Sequence, residues 1–415
     1  AMSNLTELNK LIIFRNILND TILNRLLDSA VNDAPSISYQ ITHELLTKAE
    51  QLQLQGNALK SYLMYLILND ENIFSTTVET TGGAIGESLF KAVVHDISIL
   101  QDVLKSDLRC LTNEFLEDFH PTHCTITSKI EEMTNYFLDN TGSCPAEKIF
   151  KKLVDYYTRF GHGEMAQYAA FRWSEDGVLV GVKHYDQIRL EDIIGYDRQK
   201  ETLIRNTEAF LANKPANNVL LVGARGTGKS SSVKALVNRY FTDGLRLVEI
   251  AKHQIKYLHE LMSSLRNRGK KFILFLDDLS FEDYEVEYKY LKSVLDGGVE
   301  SKPANVIIIA TSNRRHLVRE LWNDRSENNS DIHRNDTINE KISLSDRFGI
   351  TLTYLQPNQE EYLTIVEEMA KKHNIALCPA QLRSEAIKWE LSHSGRSGRT
   401  AQQFISYILG NVKTG

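Results

Sequence analysis

Eight residues, 223–230, read Gly-Ala-Arg-Gly-Thr-Gly-Lys-Ser and constrain this chain more than any other stretch. Their spacing, G-x-x-x-x-G-K-[ST], requires a strand running into a tight turn and a helix running out of it. Both flanks comply: residues 219–222 (VLLV) read as a buried strand and residues 231–240 (SSVKALVNRY) as a helix. With glycine at ~7% of average sequence, a chance match in a chain this long is on the order of one or two per hundred, so the motif is taken as functional. The glycines let backbone N–H groups turn inward around phosphate oxygens, and the helix N-terminus adds a field that favours negative charge. Lys229 would bridge the terminal phosphates and the Ser230 hydroxyl would ligate Mg²⁺. The expected nucleotide contacts are Gly223, Ala224, Arg225, Gly226, Thr227, Gly228, Lys229, Ser230 and Ser231, and the expected cofactors are ATP and Mg²⁺.

A second element supports the first. Residues 271–276 (KFILFL) form an apolar strand that ends in Asp277-Asp278. Ligands of open parallel sheets sit at the carboxyl ends of strands, so Asp277 is expected to hold Mg²⁺, directly or through water, and Asp278 to orient an attacking water. The strand 306–310 ends in Thr311-Ser312-Asn313, which places Asn313 beside the terminal phosphate. Short apolar runs at 219–222, 245–250, 272–276, 306–310 and 350–354 alternate with amphipathic stretches, the pattern of an α/β fold with a parallel sheet covered by helices on both faces. From about residue 357 onward helical periodicity returns, suggesting a small helical lid. The polar run 323–341 reads as a mobile loop.

Ahead of this region the chain reads as helix after helix. Leu5, Leu8, Leu11, Ile12, Ile17 and Leu18 fall near helical spacing, as do Leu45, Leu46, Ala49, Leu52, Leu59 and Leu63. Around Asp176-Gly177 the pattern changes to alternation, a hairpin signal. The expected organisation is therefore a mainly helical N-terminal domain over 1–165, a hairpin linker over 166–188, a nucleotide-binding core over 189–356 and a lid over 357–415. At 42% hydrophobic and 25% charged residues, with net charge −6, the chain has the balance of a soluble globular protein and no global basic footprint for nucleic acid. Cys110, Cys124, Cys144 and Cys378 are too few and scattered for a disulfide framework, which points to a reducing cytoplasmic compartment. No apolar run approaches the roughly 20 residues of a membrane span, and no secretory leader is expected. His120, His123 and Cys124 lack a second cluster at zinc-finger spacing, and Arg314-Arg315-His316 leaves nucleic-acid contact open without requiring it.

Together these elements, in this order, resemble the AAA+ superfamily from about Asp192 to the C-terminus. The resemblance implies that Ile193, Ile194 and Gly195 pack on adenine, that Asn313 is the sensor-1 residue, and that Arg347 within Ser345-Asp346-Arg347-Phe348-Gly349 is an arginine finger. It also implies that Arg399, with Arg396 second, is the sensor-2 arginine. The runs LFLDDLSFE, YLKSVLDGG, ATSNRRHL, SLSDRFG and SGRTAQQF are similar to a bacterial family of AAA+ ATP-binding proteins, domain of unknown function 815. An arginine finger usually reaches a neighbouring subunit's site, so self-association into a ring or open ring is implied, and the helical N-terminal region is a candidate surface for a protein partner.

Two departures stand out. Asp278 occupies a position where most AAA+ proteins carry glutamate, one methylene longer, which implies slow turnover, with Glu282 as a possible substitute. Residues 251–254 (AKHQ) also lack the aromatic–aliphatic–glycine pattern of polypeptide-threading loops. A GTPase would need Asn-Lys-x-Asp downstream, and none occurs; Asn313 and the two late arginine segments argue against a small-molecule kinase without excluding one. The two remaining readings are an ATPase acting as a remodelling or regulatory machine, and an ATP-dependent switch with little turnover.

Overall fold

The computed structural model describes residues 5–32, 35–109, 114–122, 129–281, 286–297, 301–313, 344–393 and 395–411. The chain divides into two compact units, residues 1–167 and 168–415.

The first unit is helical. Helices α1 (Thr21–Asn32), α2 (Pro35–Leu52), α3 (Ala58–Asn69), α4 (Ile73–Thr81), α5 (Glu87–Lys105), α6 (Lys129–Asp139) and α7 (Pro145–Phe160) enclose one apolar core around Leu63, Phe74, Ile97, Phe137 and Leu153. A short helix, α8 (Glu164–Gln167), follows. The amphipathic start departs from the expected helix: it forms two short 3-10 turns, Glu7–Lys10 and Arg15–Asn19. The cause lies on α5. The buried Asp96 carboxylate accepts the N–H groups of Ile12, Ile13 and Phe14, giving the backbone a partner that competes with the helical ladder.

The second unit is built on a seven-stranded sheet. Its strands are β1 (Ala170–Trp173), β2 (Leu179–Gly181), β3 (Val219–Gly223), β4 (Leu245–Glu249), β5 (Lys271–Leu276), β6 (Val306–Ser312) and β7 (Ile350–Tyr354), in the order β2-β1-β4-β5-β6-β3-β7. Only β2 runs antiparallel to its neighbour. Val219, Leu221, Ile273, Phe275, Ile307 and Ile309 share one core with α9 (Asp197–Leu211) and α10 (Lys229–Tyr240). The alternate residues Leu220, Leu274 and Ile308 are equally buried, as a sheet covered on both faces requires. Helices α11 (Leu258–Leu265) and α12 (Glu287–Asp296) complete the layers.

The hairpin expected as a linker is part of this sheet. Ala170, Phe171 and Arg172 pair in parallel with Leu247, Val248 and Glu249, so β1 and β2 extend the β4 edge. Beyond β7, helices α13 (Gln359–Lys372), α14 (Pro379–Ser392) and α15 (Gly398–Asn411) pack around Tyr362, Val366, Ala386, Phe404 and Ile405. No helix among the described residues is long and apolar enough to cross a membrane.

Candidate active site

The chain reverses direction across the sheet at β3, which leads through α10 to β4 on one side and lies against β7 on the other. A crevice opens at the carboxyl ends of strands where such a reversal occurs. Here it is a cleft of about 700 Å³.

Its floor is the turn between β3 and α10. Gly223 (φ +139°) lies so close to β7 that a Cβ would stand 2.0 Å from the Tyr354 carbonyl oxygen, and Gly226 (φ +75°) would place one 2.9 Å from the Arg399 Cβ and the Ser397 Oγ. Only glycine satisfies both the left-handed backbone and the contact. Gly228 caps α10 without a side-chain hydrogen bond, which leaves the first-turn amides of this 12-residue helix for an anion. The loop is braced from behind: Tyr354 Oη donates to Ser232 Oγ at 3.0 Å, Ser232 Oγ donates to the Gly228 carbonyl at 2.8 Å, and Tyr196 stacks on Tyr354.

Lys229 is buried, and its Nζ donates to the carbonyls of Gly223 (2.8 Å) and Ala224 (2.6 Å) and to Asn313 Oδ1 (3.1 Å). Burial pulls its pKa below the ordinary lysine value; Asp277 and Asp278 oppose this, while Arg399 and Arg225 reinforce it. Ser230 Oγ donates to Asp277 Oδ1 at 2.6 Å, as does Thr311 Oγ1. Asn313 Nδ2 donates to Asp278 Oδ1 at 2.5 Å, so the β6 end links the lysine to the second aspartate. Asp278 holds a left-handed backbone (φ +51°), unusual for a residue with a side chain. A hydroxyl and a carboxylate converging at Ser230 and Asp277 are the hard oxygen donors Mg²⁺ takes, and one or two protein ligands suffice for an ion that keeps its waters and binds phosphate. That corner fits the ion.

The opposite wall is apolar. Ile188, Ile193, Ile194 and Tyr196 come from the segment before α9, and Ile365 and Met369 from α13. Ile194 also packs against the lid core, and the Ile193 carbonyl accepts Lys200 Nζ at 2.8 Å. Asp192, which lines the cleft, pairs with Lys372 of α13. The lid closes the remaining side through Gly398, Arg399, Gln402 and Gln403, and the Arg399 N–H donates to the Gly226 carbonyl at 3.2 Å.

The residues expected from sequence therefore sort as follows. Arg225, Gly226, Thr227, Gly228, Lys229, Ser230, Ser231, Ile193, Ile194, Asp277, Asp278, Asn313 and Arg399 line one cleft. Gly223 and Ala224 lie behind it, presenting carbonyls to Lys229, and Gly195 (φ +81°) turns the chain beside it. Arg396 is held away by Glu390, its Nε 2.8 and 3.0 Å from the two carboxylate oxygens. Arg347 is paired with Asp296 and does not line the cleft of its own chain. Glu282, His123, Cys124 and residues 314–316 lie outside the described residues.

The family model described as Protein of unknown function (DUF815) matches residues 166–412. The chain belongs to that family. This DUF815 chain is also similar to the replication factor C large subunit of Methanococcus maripaludis, 26% identical over 102 residues that make up 24% of this chain and 21% of that protein. Among solved structures it resembles the Holliday junction branch migration motor RuvB of Thermotoga maritima (17% identity, TM-score 0.36, 54% of this chain and 64% of that one). A mutant of the same motor gives 17% identity and a TM-score of 0.37, over 54% of this chain and 65% of that one. The chain thus spans less than two thirds of each of these proteins.

Several lining residues of the DUF815 site escaped the sequence reading. Ile188, Tyr196, Ile365 and Met369 belong to no motif, and only the fold brings them to the cleft; Gln402 and Gln403 stand in the run SGRTAQQF but had no role assigned. Thr311 did carry a signal, since a strand ending in Thr-Ser-Asn offers more than one polar group at the sheet edge.

Proposed function

We propose that the cleft binds Mg·ATP and hydrolyses it, and that the protein works as an oligomeric remodelling or regulatory machine. One observation carries the reading: a buried lysine, a serine–aspartate pair and a second aspartate held by an asparagine meet at the carboxyl ends of β3, β5 and β6, opposite an apolar wall. The glycine loop and the start of α10 take the phosphates, Lys229 exchanges its carbonyl partners for phosphate oxygens, and Ser230 with Asp277 holds the ion. Bound magnesium would neutralise charge on the phosphoryl group being transferred. Asp278, oriented by Asn313, accepts the proton of the attacking water. Arg399 supports the terminal phosphate from the lid side. Arg347 serves the site of an adjacent subunit in a ring or open ring, which accounts for its position off its own cleft.

Titration with ATP in the presence of Mg²⁺, followed by steady-state phosphate release, tests this for the wild type and Lys229→Ala. Saturable binding that falls at least about tenfold in the variant, with loss of turnover, is expected; that factor corresponds to about 1.4 kcal/mol. Absence of Mg·ATP binding by the wild type would sink the reading. A second reading, a switch that holds ATP with little turnover, draws on Asp278 being one methylene shorter than glutamate and tied to Asn313. Tight Lys229-dependent binding without Lys229-dependent phosphate release would select it.

A further inference from the structure

Thr311 lies next to the last residue of β6, 1% exposed, directly after the apolar run 306–310 of its own strand. A valine would fill that slot in a strand as well, so packing alone does not call for a hydroxyl. The hydroxyl has specific partners. Oγ1 donates to Asp277 Oδ1 at 2.6 Å and accepts the Asp278 N–H at 2.9 Å, while the Thr311 carbonyl accepts the Leu279 N–H at 2.7 Å. A hydroxyl has one proton to give, and here it goes to the carboxylate, which leaves a lone pair for the amide. One side chain thereby engages both aspartates, on a strand adjacent to the one that delivers them.

The consequences differ at the two residues. Asp277 Oδ1 also receives the Ser230 hydroxyl, so Thr311 fixes the rotation of the carboxylate that faces the serine. Asp278 sits in the left-handed region, where a side-chain-bearing residue persists only if its surroundings hold it. Three contacts hold that turn: the Asp278 N–H is shared between Thr311 Oγ1 and Asp277 Oδ1, and the Leu279 N–H reaches the Thr311 carbonyl; the turn delivers the Asp278 carboxylate to Asn313.

We propose that Thr311 is a positioning residue: its hydroxyl orients the Asp277 carboxylate for the metal and contributes one of the hydrogen bonds to the backbone turn that aims Asp278. This rests on the reading of the cleft as a Mg·ATP site. Partners that orient a metal ligand from behind are worth about 10–100-fold in metal affinity.

The experiment is a Mg²⁺ titration of binding of a fluorescent ATP analogue to the full chain, comparing wild type with Thr311→Val, Thr311→Ala and Thr311→Ser. A parallel titration in EDTA reports metal-free nucleotide binding and serves as the check on folding. Loss of the hydroxyl in Thr311→Val and Thr311→Ala is expected to raise the half-saturating Mg²⁺ concentration about 10–100-fold while leaving metal-free binding unchanged. Thr311→Ser, which keeps the hydroxyl, should restore the wild-type Mg²⁺ requirement. Should valine not fold at this position, alanine decides, since it introduces no new bulk. A wild-type Mg²⁺ requirement in the hydroxyl-free variants overturns the proposal, as does a serine variant as impaired as the valine one. The two readings fail separately: a wild type that binds no Mg·ATP removes the nucleotide site itself, whereas normal wild-type binding with unshifted variants removes only the role of Thr311.

Discussion

Lys229 sits in a cleft that burial makes unfavourable for its charge, and its three hydrogen-bond acceptors offset that cost. The sign of the resulting pH dependence can be worked out. Its folded pKa lies below the 10.5 of an ordinary lysine, so between the two values the unfolded chain holds the extra proton. Stability without nucleotide should therefore rise with pH across that window, while affinity for ATP, which needs the ammonium, should fall. Affinity and urea midpoints measured from neutral pH upward would show opposite trends; parallel trends would contradict the assignment. Asp278 permits a sharper separation. Asp278→Asn keeps the hydrogen-bonding shape but removes the base, so ATP binding should persist while turnover drops by about 10²–10⁴-fold. Binding and phosphate release measured on the same preparation test this, and equal turnover would exclude Asp278 as the base.

The loop between β3 and α10 is the element on which the site depends, and its tolerance is set by its neighbours. Gly223→Ala would bring a Cβ to 2.0 Å from the Tyr354 carbonyl oxygen, a backbone atom that cannot swing aside. The strained φ and the overlap together should cost about 3 kcal/mol or more, read as a lower denaturant midpoint with Mg·ATP binding weakened alongside. The Asp192–Lys372 pair joins the segment before α9 to the end of α13, beside the apolar wall of the cleft. Its lysine is more than half exposed, so Lys372→Ala should change stability by no more than about 1 kcal/mol. Dissociation of a fluorescent nucleotide, followed by stopped flow, should nevertheless quicken, because α13 supplies Ile365 and Met369 to the same wall.

For the whole molecule, two features bear on how it operates. The division after Gln167 leaves the sheet, its hairpin extension and the lid in one unit with its own cores. A fragment beginning at Tyr168 should consequently unfold cooperatively and bind Mg·ATP with an affinity near that of the full chain; a fragment without a thermal transition would show that the helical unit is needed for folding. Arg347, paired with Asp296 and off its own cleft, tests assembly. If active sites are shared between subunits, Arg347→Ala should keep ATP affinity but lose about 10³-fold or more in turnover. Wild-type turnover in an assembled Arg347→Ala protein would end the shared-site idea.

Much of this is legible in the sequence. The glycine loop, the two aspartates after an apolar strand and the alternation of strands with helices are local signals, because phosphate binding and strand burial each demand particular residues at short spacing. Sequence could not show that the hairpin at Asp176-Gly177 adds to the sheet, since pairing with β4 joins residues far apart in the chain. Nor could it show that the first helix-like run breaks into 3-10 turns, which depends on a carboxylate on α5. Nor could it show that Glu390 engages Arg396 while Arg399 lines the cleft. Motif chemistry resides in neighbouring residues and can be read from them; the apolar wall, the bracing tyrosines and the reach of Thr311 to both aspartates arise from contacts between distant segments, which exist only once the sheet has formed.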